Sequence, residues 1–321
     1  MSVNATLSPS TSTPSTMRSD TTSLPSSGSL TPASALRTSS LVTNPTRASA
    51  GPLNFLPRAE HLSHPPDAPR GKVNRIEVIP VPGLPEVKPG EDLGALISSA
   101  LQRNRLRLKD GDVVVVKQKV VSKAEGRLVS LADVVPSDRA KRLAKSQGKD
   151  ERLVELILRE SVRVVRAGHG VIITETRHGF VCANSGVDQS NVGKGVASLL
   201  PEDSDRSARG IRAALEKGSG AEVAVVVTDT FGRPWRLGQT DVAIGCSGID
   251  PFVRYASKRD RFGYRLRVTQ PAVVDEIAGA AELVLGKLGG IPVAVVRGAR
   301  YTRAETGVTP IVMPRERDLF R

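Results

Sequence analysis

The sequence predicts an α+β, mixed α/β protein in which helices flank a mixed β-sheet. Two observations support this class. Short valine-rich runs such as VVVV (113–116) and VAVVV (223–227) have the length and the β-branched composition of buried strands. Between such runs lie segments with apolar residues at helical spacing, so strands and helices alternate without a recognisable internal repeat.

Regular patterning begins at Arg75. In residues 93–102 the apolar positions recur at helical spacing, and Glu91 and Asp92 precede them, where the helix dipole favours anions. Residues 112–122 (DVVVVKQKVVS) predict either one long strand or a pair of strands. The other elements predicted in this half are a strand at 76–81, a loop at 82–92, and helices at 137–147 and 150–161, each opened by a capping residue.

The second half continues the same alternation. The segments VRVVRAG, GVIITET and GFVCANSG predict short strands up to Gly186. The elements predicted after them are a helix at 204–218, a buried strand at 221–227, a strand at 241–249, a helix at 272–288 and a strand at 291–298.

Residues 1–70 differ in composition from the rest of the chain. They are rich in Ser, Thr and Pro and contain few acidic residues, so they cannot bury enough apolar area to offset their ordering entropy. We predict a disordered extension here and one folded domain at 71–321. The Ser and Arg content is also that of a transit peptide, but no amphipathic helix is evident.

The formal net charge of +13 lies mostly on residues 71–321. An anionic partner fits this charge, either nucleic acid or phosphorylated small molecules, and a generally basic surface explains it equally well. Cys182 and Cys246 match no metal-binding spacing and predict reduced thiols in a cytoplasmic protein. The apolar runs are far too short to span a membrane.

Four loops are candidate functional segments, because ligands bind at strand ends in open α/β sheets and each loop places polar residues there. GLPEVKPG (83–90) is constrained by proline and could wrap a flat ligand, or it is a structural turn. VVSKAEGR (120–127) offers Lys123 and Arg127 to phosphates, or it is a solvated turn with a Lys–Glu pair.

The other two loops are acidic. HGFVCANSGVDQSN (178–191) combines carboxylate, amide and hydroxyl oxygens that suit Mg2+ or Mn2+, with a helix-capping turn as the alternative. In TDTFGRPWRLGQTD (228–241), Asp229 ends a strand, and a buried carboxylate there needs a cation or a charge partner. An Asp–Arg pair that fixes the loop is the alternative, and Trp235 is expected to anchor the loop by packing. Together the loops predict a metal–nucleotide site.

These loops resemble those of the coenzyme F420-0:L-glutamate ligase (gamma-glutamyl ligase) family. The resembling segments are PGLPEVKPGEDL, VVSKAEGR, HGFVCANSGVDQSNV, TDTFGRPWRLGQTDVAIG, GIPVAVVRGARY and the terminal RDLFR. The resemblance implies a gamma-glutamyl ligase-like fold, an intertwined homodimer and a cytoplasmic location. Some relatives carry a second, flavin-dependent reductase domain, and we expect this chain to be the form without it.

The activity implied by the resemblance is a GTP-dependent ligation assisted by Mg2+ or Mn2+ and by K+. It adds L-glutamate to F420-0, a deazaflavin phospholactate, and then further glutamates through gamma linkages, in the biosynthesis of coenzyme F420. The implied intermediate is an acyl phosphate, formed when GTP phosphorylates the acceptor carboxylate.

The resemblance also implies residue roles. Asp188, Asp229 and Thr230 match the family's metal positions, and the candidate catalytic residues are Asp229 and Lys123. The residues that match nucleotide contacts are Leu84, Pro85, Glu86, Val87, Gln118, Lys123 and Asn191. Gln118 stands where relatives commonly have a serine. The expected additional contacts to substrate or phosphate are Arg233, Arg236 and Lys287.

Two alternative functions remain open. A basic nucleic-acid-binding protein agrees with the net charge, but an aromatic content of 3% provides few stacking platforms. An inactive nucleotide-binding relative is the second alternative, and the presence of Asp188, Asp229, Thr230 and Lys123 argues against it. We therefore expect small-molecule substrates, a homodimer, and neither a nucleic-acid nor a membrane partner.

Overall fold

A computed structural model of the protein describes residues 75–319, so the extension predicted at residues 1–70 lies outside the described residues. The strands are β1 (Glu77–Pro80), β2 (Val113–Lys117), β3 (Leu128–Ser130), β4 (Ser161–Gly168), β5 (Val171–Thr176), β6 (Val181–Ala183), β7 (Val196–Ser198), β8 (Ala224–Arg233), β9 (Arg236–Ser247) and β10 (Val293–Arg297). The α-helices are α1 (Leu93–Arg103), α2 (Gln118–Ala124), α3 (Asp138–Gln147), α4 (Glu151–Arg159), α5 (Ser204–Ser219) and α6 (Val273–Leu285). In residues 75–319, no helix has both the length and the apolar character needed to cross a membrane.

The central sheet contains five strands in the order β1-β10-β2-β8-β9. The strands β2 and β8 are parallel, with Lys117 opposite Thr228, and the other pairs in this sheet are antiparallel. The sheet is therefore mixed, as the sequence predicts.

Both faces of the central sheet are covered by helices. In β8, Val225 and Val227 belong to the core that contains apolar side chains of α1 and α5. The alternate residues Ala224 and Val226 belong to the core that contains α6. Burial on both faces explains why the central strands consist almost entirely of valine and alanine. These three layers confirm the predicted class, a mixed sheet with flanking helices.

A third hydrophobic cluster is formed by α3, α4 and the small sheet β4-β5-β6. Its centre contains Ile157 and Ile172, which are fully buried. The strands β3 and β7 form a short antiparallel ladder in the same region, and Ala197 of β7 is part of the cluster. This cluster supports residues 184–195, which follow β6 and contain Asp188.

The prediction of strand structure throughout residues 112–122 is wrong in its second half. Strand β2 ends at Lys117, and helix α2 begins at Gln118. The valines at 120 and 121 favour a strand locally, but the helical turn buries Val121 in the core shared with α1 and α5. Tertiary packing thus overrides a weak local preference.

The hairpin of β8 and β9 is longer than predicted. The segment expected to be a loop is paired as far as Arg233 and Arg236, so Pro234 and Trp235 form the turn. Trp235 has a φ of 55° and is 79% exposed. The expectation that Trp235 anchors the segment by packing within the protomer is therefore wrong, because its ring lies at the exposed hairpin tip.

Candidate active site

Most of the predicted site residues lie along one edge of the central sheet. The strands β2 and β8 are parallel neighbours, so their carboxyl ends, near Lys117 and Thr228, meet at that edge. Helix α2 starts directly after β2, whereas β8 continues past the edge into the hairpin. Polar side chains that follow the two strands are thereby brought together.

Strand alternation places Asp229 and Thr230 on opposite sides of β8. Asp229 continues the row of Val225 and Val227, whereas Thr230 continues the row of Val226, which faces α6. The adjacent residues therefore belong to two polar groups of side chains. The acidic-loop cluster consists of Lys119, Asp188, Ser190 and Asp229, and the helix α6 cluster consists of Lys117, Thr230, Asp241, Glu282 and Lys287.

The helix α6 cluster is centred on Asp241. This residue lies directly opposite Thr230 in β9 and is 1% exposed. Lys117 Nζ donates to Asp241 Oδ2 at 2.8 Å, and Thr230 Oγ1 donates to Asp241 Oδ1 at 2.6 Å. Glu282, in the last turn of α6, pairs with both Lys117 and Lys287. Two lysines thus face two carboxylates, which leaves the cluster without net charge.

The carboxyl group of Asp241 is ionised in this arrangement. Burial opposes the charged form, but hydrogen bonds from Lys117 and Thr230 and the charge of Lys287 lower the pKa of Asp241 below its usual value. Lys287 Nζ lies 3.5 Å from Asp241 Oδ1 and also donates to Thr230 Oγ1. Because Lys287 is half exposed, its ammonium group is accessible to an anionic ligand.

In the acidic-loop cluster, Lys119 of α2 holds the loop after β6. Its Nζ lies 2.5 Å from Asp188 Oδ2 and donates to the carbonyl and hydroxyl oxygens of Ser190 at 2.6 and 2.8 Å. The Ser190 backbone N–H and hydroxyl group donate to Asp188 in turn. Burial opposes the charge, yet these donors lower the pKa of Asp188 below its usual value.

A left-handed turn fixes the start of this loop. Asn184, Ser185 and Gly186 have φ angles of 55°, 54° and 70°. The buried Ser185 is held by a hydrogen bond from its N–H to Thr174 Oγ1 at 2.9 Å and one from its hydroxyl to the Ile157 carbonyl at 3.0 Å. A non-glycine residue in this conformation costs on the order of 1–3 kcal/mol, a strain commonly found at functional sites.

Asp229 differs electrostatically from the two other aspartates. Burial raises the pKa of Asp229 to about 6, and the charges of Asp241 and Asp188 contribute to the rise. The backbone N–H of Thr230 and the charge of Lys119 act in the opposite direction. The ionised form of Asp229 is therefore poorly stabilised by its surroundings, and a bound cation would stabilise it.

The predicted nucleotide loop lies against α2 through an ion pair. Lys123, in the last turn of α2, is buried, and its Nζ lies 2.5 Å from Glu86 Oε1. Val87 packs in the core, Leu84 packs against that core, and Pro85 and Glu86 are exposed. The loop therefore presents polar atoms and backbone to solvent beside a buried ammonium group.

Three other residues named from the sequence have distinct surroundings. Gln118 is buried, and its Oε1 accepts a hydrogen bond from Ser122 Oγ at 2.8 Å. Asn191 is exposed and adopts a φ of 57° directly after the acidic-loop cluster. Arg127 pairs with the buried Glu160 at 2.7 Å. That pair engages the guanidinium of Arg127 with a structural partner rather than with the site.

Arg233 and Arg236 lie at the tip of the β8–β9 hairpin and are exposed. At about 3.3 Å per residue, Arg233 is about 13 Å along the strand from Asp229. The two arginines therefore belong to neither cluster within the protomer.

The donor atoms suit a hard divalent cation. The non-lysine side chains of the two clusters offer oxygen donors, which Mg2+ and Mn2+ prefer. Asn184 Oδ1, at the start of the acidic loop, is buried and has no hydrogen-bond partner among residues 75–319. In that part of the chain, no three His, Cys, Asp or Glu side chains converge on one point. Lysines face the carboxylates instead, and a divalent ion at Asp188 and Asp229 would replace the ammonium group of Lys119.

The structure adds four residues to the site that were not named from the sequence: Lys117, Lys119, Asp241 and Glu282. A signal exists for the lysines, because KQK directly follows a buried valine run at a strand end. Asp241 carries only a weak signal, because it is the first residue of a predicted strand. Glu282 gives no signal, since it lies 165 residues from Lys117 and meets it only through the fold.

Comparisons with known proteins agree with the resemblance noted in the sequence. A profile of the family described as F420-0:Gamma-glutamyl ligase matches residues 83–298. A Methanothermobacter thermautotrophicus protein named coenzyme F420:L-glutamate ligase is 46% identical over 249 residues, covering 77% of this chain and 99% of that protein. Proteins of the same name from Methanopyrus kandleri and Methanocaldococcus jannaschii are 44% and 41% identical, covering 78% and 77% of this chain and 100% and 97% of the relatives. Both clusters lie within the matched residues.

Proposed function

Because this chain belongs to the F420-0:gamma-glutamyl ligase family, we propose that it joins L-glutamate to F420-0, the deazaflavin phospholactate, in coenzyme F420 biosynthesis. The observation that carries the proposal is the identity of 41–46% to proteins named coenzyme F420:L-glutamate ligase, over nearly their whole length. The polar clusters at the sheet edge support it, since they combine ionised carboxylates with accessible ammonium groups.

We propose GTP as the co-substrate. The acceptor carboxylate attacks the γ-phosphorus of GTP, GDP leaves, and an acyl phosphate forms. The amine of L-glutamate then attacks the acyl carbon, phosphate leaves, the amide forms and the nitrogen loses a proton. Repetition on the side-chain carboxylate of the added residue gives a gamma linkage. This chemistry requires positioning and charge stabilisation more than a protein nucleophile.

Lys123 is proposed to bind the nucleotide phosphates. Its ammonium group is buried beside the exposed Pro85 and Glu86, and the side chain of its partner Glu86 is itself 76% exposed. A phosphate can therefore replace the Glu86 carboxylate without leaving Lys123 unpaired. Lys287, half exposed next to Thr230, is proposed to contact a phosphate or the acceptor from the side of α6.

We propose that Asp188 and Asp229 together hold Mg2+ or Mn2+, with K+ as an additional ion. Thr230 is also proposed to contact a metal ion, but its hydroxyl faces the helix α6 cluster on the other side of β8 and would not reach the ion held by Asp188 and Asp229. The bound divalent ion would neutralise charge on the transferring phosphoryl group. Asp188 is ionised before any ion binds, which favours cation binding. The raised pKa of Asp229 means that cation binding also releases a proton from this residue below pH of about 6.

A homodimer is part of the proposal. The tip of the β8–β9 hairpin exposes Trp235, and the neighbouring Leu237 is 100% exposed. The segment between β9 and α6 exposes Phe262, Tyr264 and Val268. Exposed apolar side chains in two projecting segments are what a second copy would cover.

A cytoplasmic location is also proposed. Cys182 and Cys246 are buried free thiols. Burial raises the pKa of each thiol to about 12, so both are protonated and unreactive at neutral pH. Such thiols agree with a reducing compartment.

The test uses purified protein, F420-0 with its acceptor carboxylate labelled with oxygen-18, L-glutamate, GTP and Mn2+. The acyl-phosphate route predicts that one labelled oxygen appears in inorganic phosphate for each amide formed, because the bond between the acyl carbon and that oxygen breaks. Amide formation with unlabelled phosphate would contradict the route. A protein that instead binds DNA regardless of sequence, without GTP turnover, would support the nucleic-acid alternative.

A further inference from the structure

An open groove lies between helix α3 and strand β4, which is an edge strand of the small sheet β4-β5-β6. The residues that line this α3–β4 groove are Arg139, Arg142, Leu143, Ser146 and Val164. Its volume of about 350 Å3 falls within the range of about 300–1,000 Å3 that is usual for ligand sites. None of its lining residues belongs to the acidic-loop cluster or to the helix α6 cluster, and the chemistry proposed above does not involve them.

The rim of the groove is positively charged. Arg139 and Arg142 are exposed and lie about one helical turn apart on α3. Helix α3 contains four basic residues and one acidic residue, Asp138, which lies 3.8 Å from Lys141. Among residues 75–319, no carboxylate pairs with Arg139 or Arg142. Two guanidinium groups are therefore free to bind anions, and each suits a carboxylate through two parallel hydrogen bonds.

The floor of the groove is apolar. Leu143 and Val164 are partly buried and pack against the cluster formed by α3, α4 and the small sheet. Among the described residues, no aromatic side chain lines the groove, so it offers no platform on which a nucleotide base could stack. Guanidinium groups above an apolar floor suit a flexible chain in which carboxylates alternate with methylene groups.

An oligo-γ-glutamate chain has this composition. A γ-linked residue has two more backbone bonds than an α-linked one, so its free carboxylates recur at about 6 Å instead of about 3.5 Å. Side chains three residues apart on a helix start about 5–6 Å apart, which is the separation expected for Arg139 and Arg142. Each arginine can therefore meet one of two successive carboxylates, while the methylene groups between them lie on Leu143 and Val164.

The groove lies within reach of the strand that carries Asp229. Val164 is opposite Thr174 in β5, and Thr174 is opposite Cys182 in β6. Neighbouring strands are about 4.8 Å apart, so Val164 and Cys182 are about 10 Å apart. Strand β6 in turn contacts β8, which contains Asp229. About two or three γ-linked residues span a distance of this order, whereas a single added glutamate does not.

We propose that the α3–β4 groove binds the oligo-γ-glutamate tail of the acceptor after several glutamates have been added, with Arg139 and Arg142 pairing with its carboxylates. The inference rests on the repeated gamma-linked addition proposed above and identifies a site for the longer acceptors. Other occupants fit the charge less well. Residues 1–70 carry five arginines and three acidic residues, and a second copy has a net charge of +13, so each would bring positive charge to a positive rim.

The experiment measures binding of fluorescein-labelled γ-linked pentaglutamate to the full chain by fluorescence anisotropy. The test variant is Arg139→Gln, Arg142→Gln. The matched control is Lys141→Gln, Lys217→Gln, which removes the same charge from exposed helix positions outside the groove. We expect the test variant to weaken peptide binding by about tenfold, through the loss of two exposed ion pairs, and the control variant to stay within about threefold of the unsubstituted protein.

Ligase kinetics provide a second readout. In the test variant, the KM for an acceptor that already carries three γ-linked glutamates should rise by about tenfold with kcat unchanged, because only uniform binding is lost. The KM for F420-0, which has no glutamate to place in the groove, should stay within about twofold.

Equal peptide binding by the test and control variants would overturn the inference. An oligothymidylate of the same net charge that binds the two arginines more tightly than the peptide would also overturn it. Arginine-dependent peptide binding by a protein that adds no glutamate to F420-0 would support the groove and refute the proposed function. Full ligase activity together with peptide binding that does not depend on the arginines would refute the groove alone.

Discussion

Asp229 is an ionisable group whose surroundings reduce the stability of the folded protein. Burial raises its pKa from the ordinary value of 3.8 to about 6. A carboxyl group with a raised folded-state pKa contributes stability below its unfolded pKa, and this stability is lost as pH rises through the folded pKa. Two pKa units correspond to about 3 kcal/mol. The metal-free protein therefore loses up to about this amount between pH of about 4 and pH of about 7.

The substitution Asp229→Asn is expected to abolish glutamate addition and at the same time to stabilise the metal-free protein. At pH 8 the free energy of unfolding should rise by up to about 3 kcal/mol, since no charge is buried, and at pH 4 it should hardly change. Urea unfolding at the two pH values measures the difference. Retention of wild-type turnover would refute the metal role of this residue.

Asp188→Asn is the matched control, because the pKa of Asp188 is lowered by Lys119 and Ser190 despite its burial. Its charge stabilises the folded state above the unfolded pKa, and that contribution is lost as pH falls through the folded pKa. Asp188→Asn should therefore destabilise the protein at pH 8. If both variants changed the free energy of unfolding at pH 8 in the same direction, the electrostatic account would be contradicted.

Lys123 is expected to bind the nucleotide. Lys123→Met should raise the KM for GTP by about 10- to 100-fold. The reason is the loss of one charge-assisted hydrogen bond to the nucleotide, which contributes about 1.5–3 kcal/mol. The control is Lys88→Met in the same loop, because Lys88 is exposed and should leave the KM within about twofold. Steady-state kinetics with varied GTP measure both, and an unchanged KM in Lys123→Met would remove Lys123 from the nucleotide site.

At the scale of elements, helix α5 packs so closely on its neighbours that glycine is required at two contacts. A Cβ atom on Gly245 of β9 would lie 2.5 Å from the carbonyl carbon and 2.6 Å from the carbonyl oxygen of Ser204. A Cβ atom on Gly94 of α1 would collide with the side chain of Ala214. These contacts seat α5 beside the strand that carries Asp241.

Gly245→Ala should lower the free energy of unfolding by about 1–3 kcal/mol or more, because the clash involves backbone atoms that cannot turn away. The matched control is Gly210→Ala in α5, where no atom lies within 4 Å of the new Cβ atom. That control should be neutral or stabilising by about 0.5–1 kcal/mol. Equal unfolding midpoints for both variants in urea would contradict the close contact.

The helices with capping residues could be predicted from the sequence, and α2 could not. Asp92, Ser137 and Asp150 each accept a hydrogen bond from a first-turn N–H, as expected from their positions. Helix α2 has no side-chain cap and contains two valines. Its helical state depends on burying Val121 in a core formed by distant segments, which local sequence does not reveal.

The candidate site was predicted in part. Asp229 and Lys123 carry a local signal, because each comes shortly after a valine-rich run in the sequence. In the structure Asp229 lies within β8 and Lys123 in the last turn of α2. The pairing of Lys117 with Glu282 joins positions 165 residues apart and depends on how α6 packs on the sheet. The contact between Thr230 and Asp241 likewise depends on the register of the β8–β9 hairpin, which places the two residues directly opposite each other.

At the scale of the whole molecule, we expect a homodimer that covers the exposed hairpin tip. Leu237→Glu should shift the protein towards the monomer, since it places a charge where Leu237 is fully exposed in the protomer and would be buried in the dimer. Light scattering after size exclusion measures the mass. Lys217→Glu, a charge change at the end of α5, is the control and should leave the dimer intact. A monomeric unsubstituted protein at all concentrations would contradict the dimer.

The most direct test of the central claim is mass spectrometry of F420-0 after incubation with the purified protein, L-glutamate, GTP and Mn2+. The account predicts a product heavier by one glutamyl residue, dependent on GTP and on the divalent ion, and absent with Asp229→Asn. Intact F420-0 with no glutamate added, in a reaction whose substrates are verified, would contradict it.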